Sequence, residues 1–183
     1  MTGINYEHPN VERFIVGTVG VPGERAFFLQ IESPVFSNCV AIEKGQVDAL
    51  SERFKEMIRE LRRNKLASLD ELAISMPMED NTMQFPITED FTVGLIGISW
   101  DQDLQRINLE LQAIGDDPIE EEVDEDSEQS LDTINASLRI YQVRNFCSLA
   151  DKLVASGRQP CPFCGLPINA EGHLCPRSNG YRR

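Results

Sequence analysis

Basic residues are scarce in this chain: 17 Lys and Arg stand against 30 Asp and Glu, for a net charge of −13. That balance disfavours a nucleic-acid binder, which needs a positive footprint against phosphate. Histidine is scarcer still, with two residues, and tryptophan occurs once. No apolar run approaches the ~20 residues that a membrane-spanning helix requires. No apolar leader opens the chain either, so a reducing, cytoplasmic location is expected. The usual catalytic signatures are missing too. Gly17, Gly20 and Gly23 are wrongly spaced for a phosphate-binding loop and fall in an expected hairpin. There is no Gly-x-Ser-x-Gly elbow and no His-Glu-x-x-His helix. Carboxylates on the strands, such as Glu110, fall on expected wet faces without evident partners, and Trp100, at a strand end, reads as core. Ordinary acid–base catalysis has little to stand on.

What is present is concentrated at the C-terminus, in RQPCPFCGLPINAEGHLCPRSNGYRR. Cys161 and Cys164 form a Cys-x-x-Cys step, and His173 and Cys175 follow within fifteen residues of its start. Thiolate and imidazole are the ligands that tetrahedral Zn²⁺ prefers, so the four residues predict a Cys₃His zinc site. Pro162 fixes φ, while Gly165 tolerates a left-handed conformation, as a metal knuckle requires. Gly172 is placed to turn the chain back towards the first pair. His173 and Cys175 are separated only by Leu174, so in an extended segment they would splay unless the chain curls. Two alternatives stay open: His8 or Cys147 could replace one tail ligand, or Cys161 and Cys164 could form a disulfide. Cys39 and Cys147 otherwise read as buried thiols acting as small hydrophobes.

The rest of the chain reads as an α+β body. The N-terminus through Asn10 carries no periodic signal and is expected to be loose or an edge arm. Val11–Val19 and Arg25–Glu32 predict a hairpin around Val21-Pro22-Gly23-Glu24, and Asn38–Glu43 predicts a third strand. From Gln46 to Arg63, apolar residues recur every three or four positions, including Val47, Leu50, Phe54, Met57, Ile58 and Leu61. Arg59, Arg62, Arg63 and Lys65 then sit where positive charge suits the helix dipole. Ser68 and Glu71 predict a capping box opening a short helix. Phe91–Trp100 predicts an apolar strand, with a bend, a bulge or a close neighbouring backbone at Gly94 and Gly97. Leu104–Ile114 alternates as a strand with one wet face. Ala136–Ile140 predicts a short strand, and Gln142–Ser156 a second amphipathic helix, with Gly157 as its stop.

Both halves thus follow one order, three strands and a helix, and Gln46-Val47 aligns with Gln142-Val143. A duplicated β-β-β-α unit would give a mostly antiparallel six-stranded sheet with both helices on one face. Between the last two strands lies an acidic run, Gly115–Asp132, holding ten carboxylates and no cation. Removing those ten negatives from −13 leaves −3, so the body itself is only mildly acidic. Such a run cannot bury enough apolar surface to offset its ordering entropy, and it is expected to be a disordered insert. The expected organisation is a body over residues 1–157, with the insert at about 115–132, and a zinc-knuckle tail over 158–183.

The framing ERFIVGTVGVPGERAFFLQ near the start and CPFCGLPINAEGHLCPRSNGYRR at the end resemble an actinobacterial family of conserved hypothetical proteins, classed as a domain of unknown function. The likeness runs through nearly the whole chain, and the tail is its most specific part. The resemblance implies no established activity. It does imply gene neighbours resembling phosphatidylinositol kinases and histidine phosphatases, hence a shared pathway or complex. The leading functional expectation is a non-catalytic adaptor or accessory subunit whose zinc knuckle docks a protein partner. The second is an enzyme, or an enzyme component that uses the zinc or completes a partner's active site. Nucleic-acid binding through Arg177, Tyr181, Arg182 and Arg183 ranks third, because the acidity elsewhere opposes it.

Overall fold

The computed structural model describes residues 3–21, 23–74, 81–115, 131–157, 161–165, 168 and 172–177. The acidic stretch 116–130, the turn residue Pro22 and the terminal residues Tyr181, Arg182 and Arg183 lie outside the described residues. In chain order the elements are β1 (Asn5–His8), β2 (Arg13–Val19), β3 (Ala26–Glu32), β4 (Ser37–Ile42), α1 (Lys44–Arg63), α2 (Leu69–Ala73), β5 (Phe91–Asp101), β6 (Arg106–Ala113), β7 (Thr133–Leu138) and α3 (Ile140–Ala155).

The strands form one seven-stranded sheet in the order β1-β7-β6-β5-β4-β3-β2. This corrects the expected six-stranded, mostly antiparallel sheet in two ways. The N-terminal arm is a strand, β1, which pairs parallel with β7. The two halves also join through a parallel pairing of β4 with β5 that spans only Val40↔Phe91 and Ala41↔Thr92. Neither pairing has a local signal. β1 is four residues long, and it turns Tyr6 and a buried polar residue, His8, to one side, so it shows no apolar alternation.

Within each half the expected order holds: β2-β3-β4-α1, then β5-β6-β7-α3. Both helices begin with the same device. The Glu43 N–H donates to Gln46 Oε1 at 3.0 Å, and the Arg139 N–H donates to Gln142 Oε1 at 2.8 Å. A Gln at the third helical position thereby satisfies a backbone donor at the helix entrance. Each Gln also crosses to the other half. Gln46 Nε2 donates to the Val93 and Gly94 carbonyls of β5, and Gln142 Nε2 donates to the Val11 carbonyl ahead of β2. The helices are thus tied by hydrogen bonds as well as by packing.

The core lies where α1, α3 and the sheet meet. Phe14 of β2, Phe54 of α1 and Phe146 of α3 form an aromatic triad. Phe14 and Phe146 stack at 4.9 Å, and Phe54 stands edge-on to Phe146 at 5.7 Å. Of the residues expected inside, Leu50, Phe54 and Phe146 are fully buried, whereas Met57 and Leu153 are partly buried at its margin. Strand β5 alternates more than its apolar sequence predicts, leaving Leu95 exposed. Its register shifts between Val93 and Leu95. A Cβ on Gly94 would lie 3.1 Å from the Ala113 carbonyl oxygen, so the expected bulge with a close neighbouring backbone is present there.

His8 anchors the β1 edge. Its side chain is fully buried, and Nε2 lies 2.8 Å from Asn38 Oδ1 while Nδ1 lies 3.0 Å from Ser33 Oγ. The Asn38 amide donates to Asp90 Oδ2 at 3.0 Å, so the network assigns the Nε2 proton to His8. Tyr6 and Phe36 also meet edge-on at 5.9 Å. β1 therefore touches the β3–β4 connection although three strands separate it from β4 in the sheet, which means that the sheet curls strongly. Burial pushes the His8 pKa below its usual value, against smaller raising effects from Asn38 and Glu7. A lowered folded-state pKa means that the unfolded chain binds the proton more readily, so this contribution to stability is present above about pH 6.5 and falls as pH drops below it. The expected result is a denaturation midpoint that decreases between about pH 6.5 and 5, with a shallower slope in His8→Gln. Equal slopes in both proteins would remove His8 from the account.

Candidate metal centre

After α3 the chain passes Gly157 and reaches the cysteine-rich segment. Cys161 opens a tight turn in which the Gly165 N–H donates to the Cys161 carbonyl at 2.8 Å. Gly165 has φ +77° and Gly172 has φ +88°, the left-handed region that a Cβ disfavours. Both glycines thus stand where the knuckle was expected to need them.

The spacing problem at His173 and Cys175 resolves by division. Cys164 Sγ lies 3.2 Å from His173 Nε2, and Cys161 Sγ lies 3.8 Å from Cys175 Sγ. Each later donor faces a different member of the first pair, and the intervening Leu174 turns outward with 87% exposure. Ligand atoms of all four residues lie within 4.8 Å of one another. A tetrahedron with ~2.3 Å metal–sulfur bonds has an edge of about 3.8 Å, the separation seen between the two sulfurs. Cys161 and Cys175 are buried, while Cys164 and His173 are partly so.

The electrostatics favour a thiolate at Cys161. Burial alone would raise its pKa, but N–H groups of Cys164 and Phe163 and the neighbouring Cys164 and Cys175 thiols outweigh that and lower it. The donor set therefore fits a soft or borderline divalent ion. Arg177 Nη1 donates to the Phe163 carbonyl at 3.1 Å, bracing the first turn against the last.

The proposed substitutes are placed elsewhere. His8 is held by Asn38 and Ser33, as described above. Cys147 lies on α3 with its sulfur 3.6 Å from the Ser51 carbonyl, and burial pushes its pKa up to about 11. Burial likewise raises Cys39. Both are poor thiolate donors as folded. All five cysteines are free, so the Cys161–Cys164 disulfide is not formed. Among the described residues, no helix is long and apolar enough to cross a membrane.

The chain belongs to the family Protein of unknown function (DUF3090), whose model matches residues 6–175. That match spans both halves of the sheet and ends on Cys175, so all four candidate ligands lie inside it. No curated protein and no solved structure matches the chain.

Proposed function

We propose that this member of the family is a cytosolic zinc protein that serves as a non-catalytic adaptor or accessory subunit, with the knuckle at residues 158–183 docking a protein partner. The observation that carries this reading is the closure of the site. Four protein donors gather within 4.8 Å, and a four-coordinate zinc with four protein ligands keeps no position for a water or substrate. A closed site of this kind holds a loop in shape.

The loop so shaped presents apolar side chains to solvent. Phe163 is 63% exposed and Leu174 87% exposed, and each directly neighbours a metal donor in sequence. Exposed apolar side chains on a rigid turn suit a protein surface rather than phosphate. The phosphatidylinositol-kinase-like gene neighbour implied by the family resemblance is the first partner to test.

The test is affinity purification from the native host with three baits: wild type, Cys161→Ser, and Phe163→Ser/Leu174→Ser. A partner retained by wild type and lost with both variants is expected, while the second variant still holds its metal. Equal recovery with all three baits would remove the docking role. X-ray absorption counting fewer than four protein donors would favour the enzyme reading instead.

A further inference from the structure

The outer face of the second half-sheet carries a different feature. Ile107, Leu109 and Leu111 of β6 point into the core, so Asn108 and Glu110 point away from it. The register sets Asn108 opposite Ser99 and Ser137, and Glu110 opposite Gly97 and Asn135. β1 adds Glu7 beside Asn135. These side chains line a cavity of about 530 Å³, to which Pro9 and Leu104 also contribute. That volume falls in the range typical of small-molecule sites, roughly 300–1,000 Å³.

We propose that this cleft binds a small organic cation bearing hydroxyl groups, an amino-polyol. Two carboxylates line the cleft and no Lys or Arg does. His8 also borders it, but its ring is engaged with Asn38 and Ser33, and burial holds it towards the neutral form. An anionic ligand would face two carboxylates and no compensating Lys or Arg there. Glu7 is partly satisfied, because Asn5 and Asn135 both donate to its Oε1 at 2.9 Å. Glu110 has no such partner among the described residues. A carboxylate enclosed by a ligand needs a compensating positive charge.

Ser99 and Asn108 make no side-chain hydrogen bond among the described residues, whereas the Ser137 hydroxyl beside them is closed to solvent. Ser99 and Asn108 both donate and accept, and Asn135, whose amide N–H groups go to Asn5 and Glu7, adds its carbonyl as an acceptor; they stand on neighbouring strands ~4.8 Å apart. Hydroxyls match such a set because they both donate and accept. A bare metal ion would leave nearly all of this volume empty. Gly97 keeps the floor open, since a Cβ there would reach only the Glu110 side chain, at 3.5 Å.

The experiment is an amide-shift titration of the full zinc-loaded chain at physiological salt, comparing glucosamine with its uncharged counterpart glucose. Glucosamine is expected to shift the amides of Gly97, Ser99, Glu110 and Asn135 saturably, and to bind at least about tenfold tighter than glucose, since a charge-assisted hydrogen bond is worth a factor of this order. Glu110→Gln should erase that difference. Gly97→Val, which suits a strand and projects into the cleft, should abolish the shifts while the remaining spectrum is preserved. Equal binding of both sugars, unchanged affinity in Glu110→Gln, or shifts that never saturate and follow the acidic surface generally would each overturn the proposal.

Discussion

Cys161→Ser is expected to lose stoichiometric zinc while the sheet and both long helices stay folded. The reason is the locality of the site. Its four donors fall between positions 161 and 175, so metal binding organises a short loop rather than clamping distant elements. Structural zinc in short peptides contributes apparent energies of roughly 10–16 kcal/mol, enough to fold such a loop unaided. Removing one buried thiolate should weaken binding by more than about 100-fold, the upper end of what outer-sphere changes alone cost. Elemental analysis of wild type should find one zinc per chain. Hydrogen exchange after chelation should rise at 161–165 and 172–177 and hold steady in β2–β7, α1 and α3. Loss of protection throughout the sheet would mean that the knuckle is part of the core. Wild-type protein purified without any metal would dispose of the site altogether.

The largest loss of stability is expected from Phe146→Ala. Phe146 is fully buried, stacks on Phe14 and meets Phe54 edge-on, so it joins β2, α1 and α3 at one point. Truncating a buried Phe removes its transfer energy and leaves a cavity, at a cost of about 3–5 kcal/mol. In a chain of this size that corresponds to a drop in melting temperature of roughly 6–20 °C. Phe14→Ala and Phe146→Ala combined should cost less than the sum of the two, because residues in contact share their interaction. A scanning calorimetry series over the two single variants and the double variant measures both quantities. A melting point unchanged in Phe146→Ala would contradict the packing described here.

Zinc retention and core stability should therefore separate. Phe146→Ala should still bind one zinc, and Cys161→Ser should melt close to wild type. The two body cysteines offer no competing thiolate, because burial holds both Cys39 and Cys147 towards the protonated thiol.

Much of this protein was legible from its sequence, wherever the determining interaction is local. The Cys-x-x-Cys step, the two glycines and the His/Cys pair lie within fifteen residues, so spacing alone points to a metal site. The apolar stripes of α1 and α3 repeat with the helical period, although each helix begins two residues before its shared Gln, at Lys44 and Ile140. The hairpin of β2 and β3 and the Gly94 bulge likewise follow from residues next to one another. Tertiary structure decided what depends on contacts between distant positions. β1 reads as an arm until it meets β7, about 130 residues away, where backbone pairing makes it a strand. His8 reads as an isolated histidine until Asn38 and Ser33 surround it. Most of all, Glu7, Ser99, Glu110 and Ser137 occupy four different strands, and no spacing in the chain connects them. Hydrogen bonding across a curled sheet brings them to one cleft, because strand register, unlike sequence neighbourhood, is set by the whole fold.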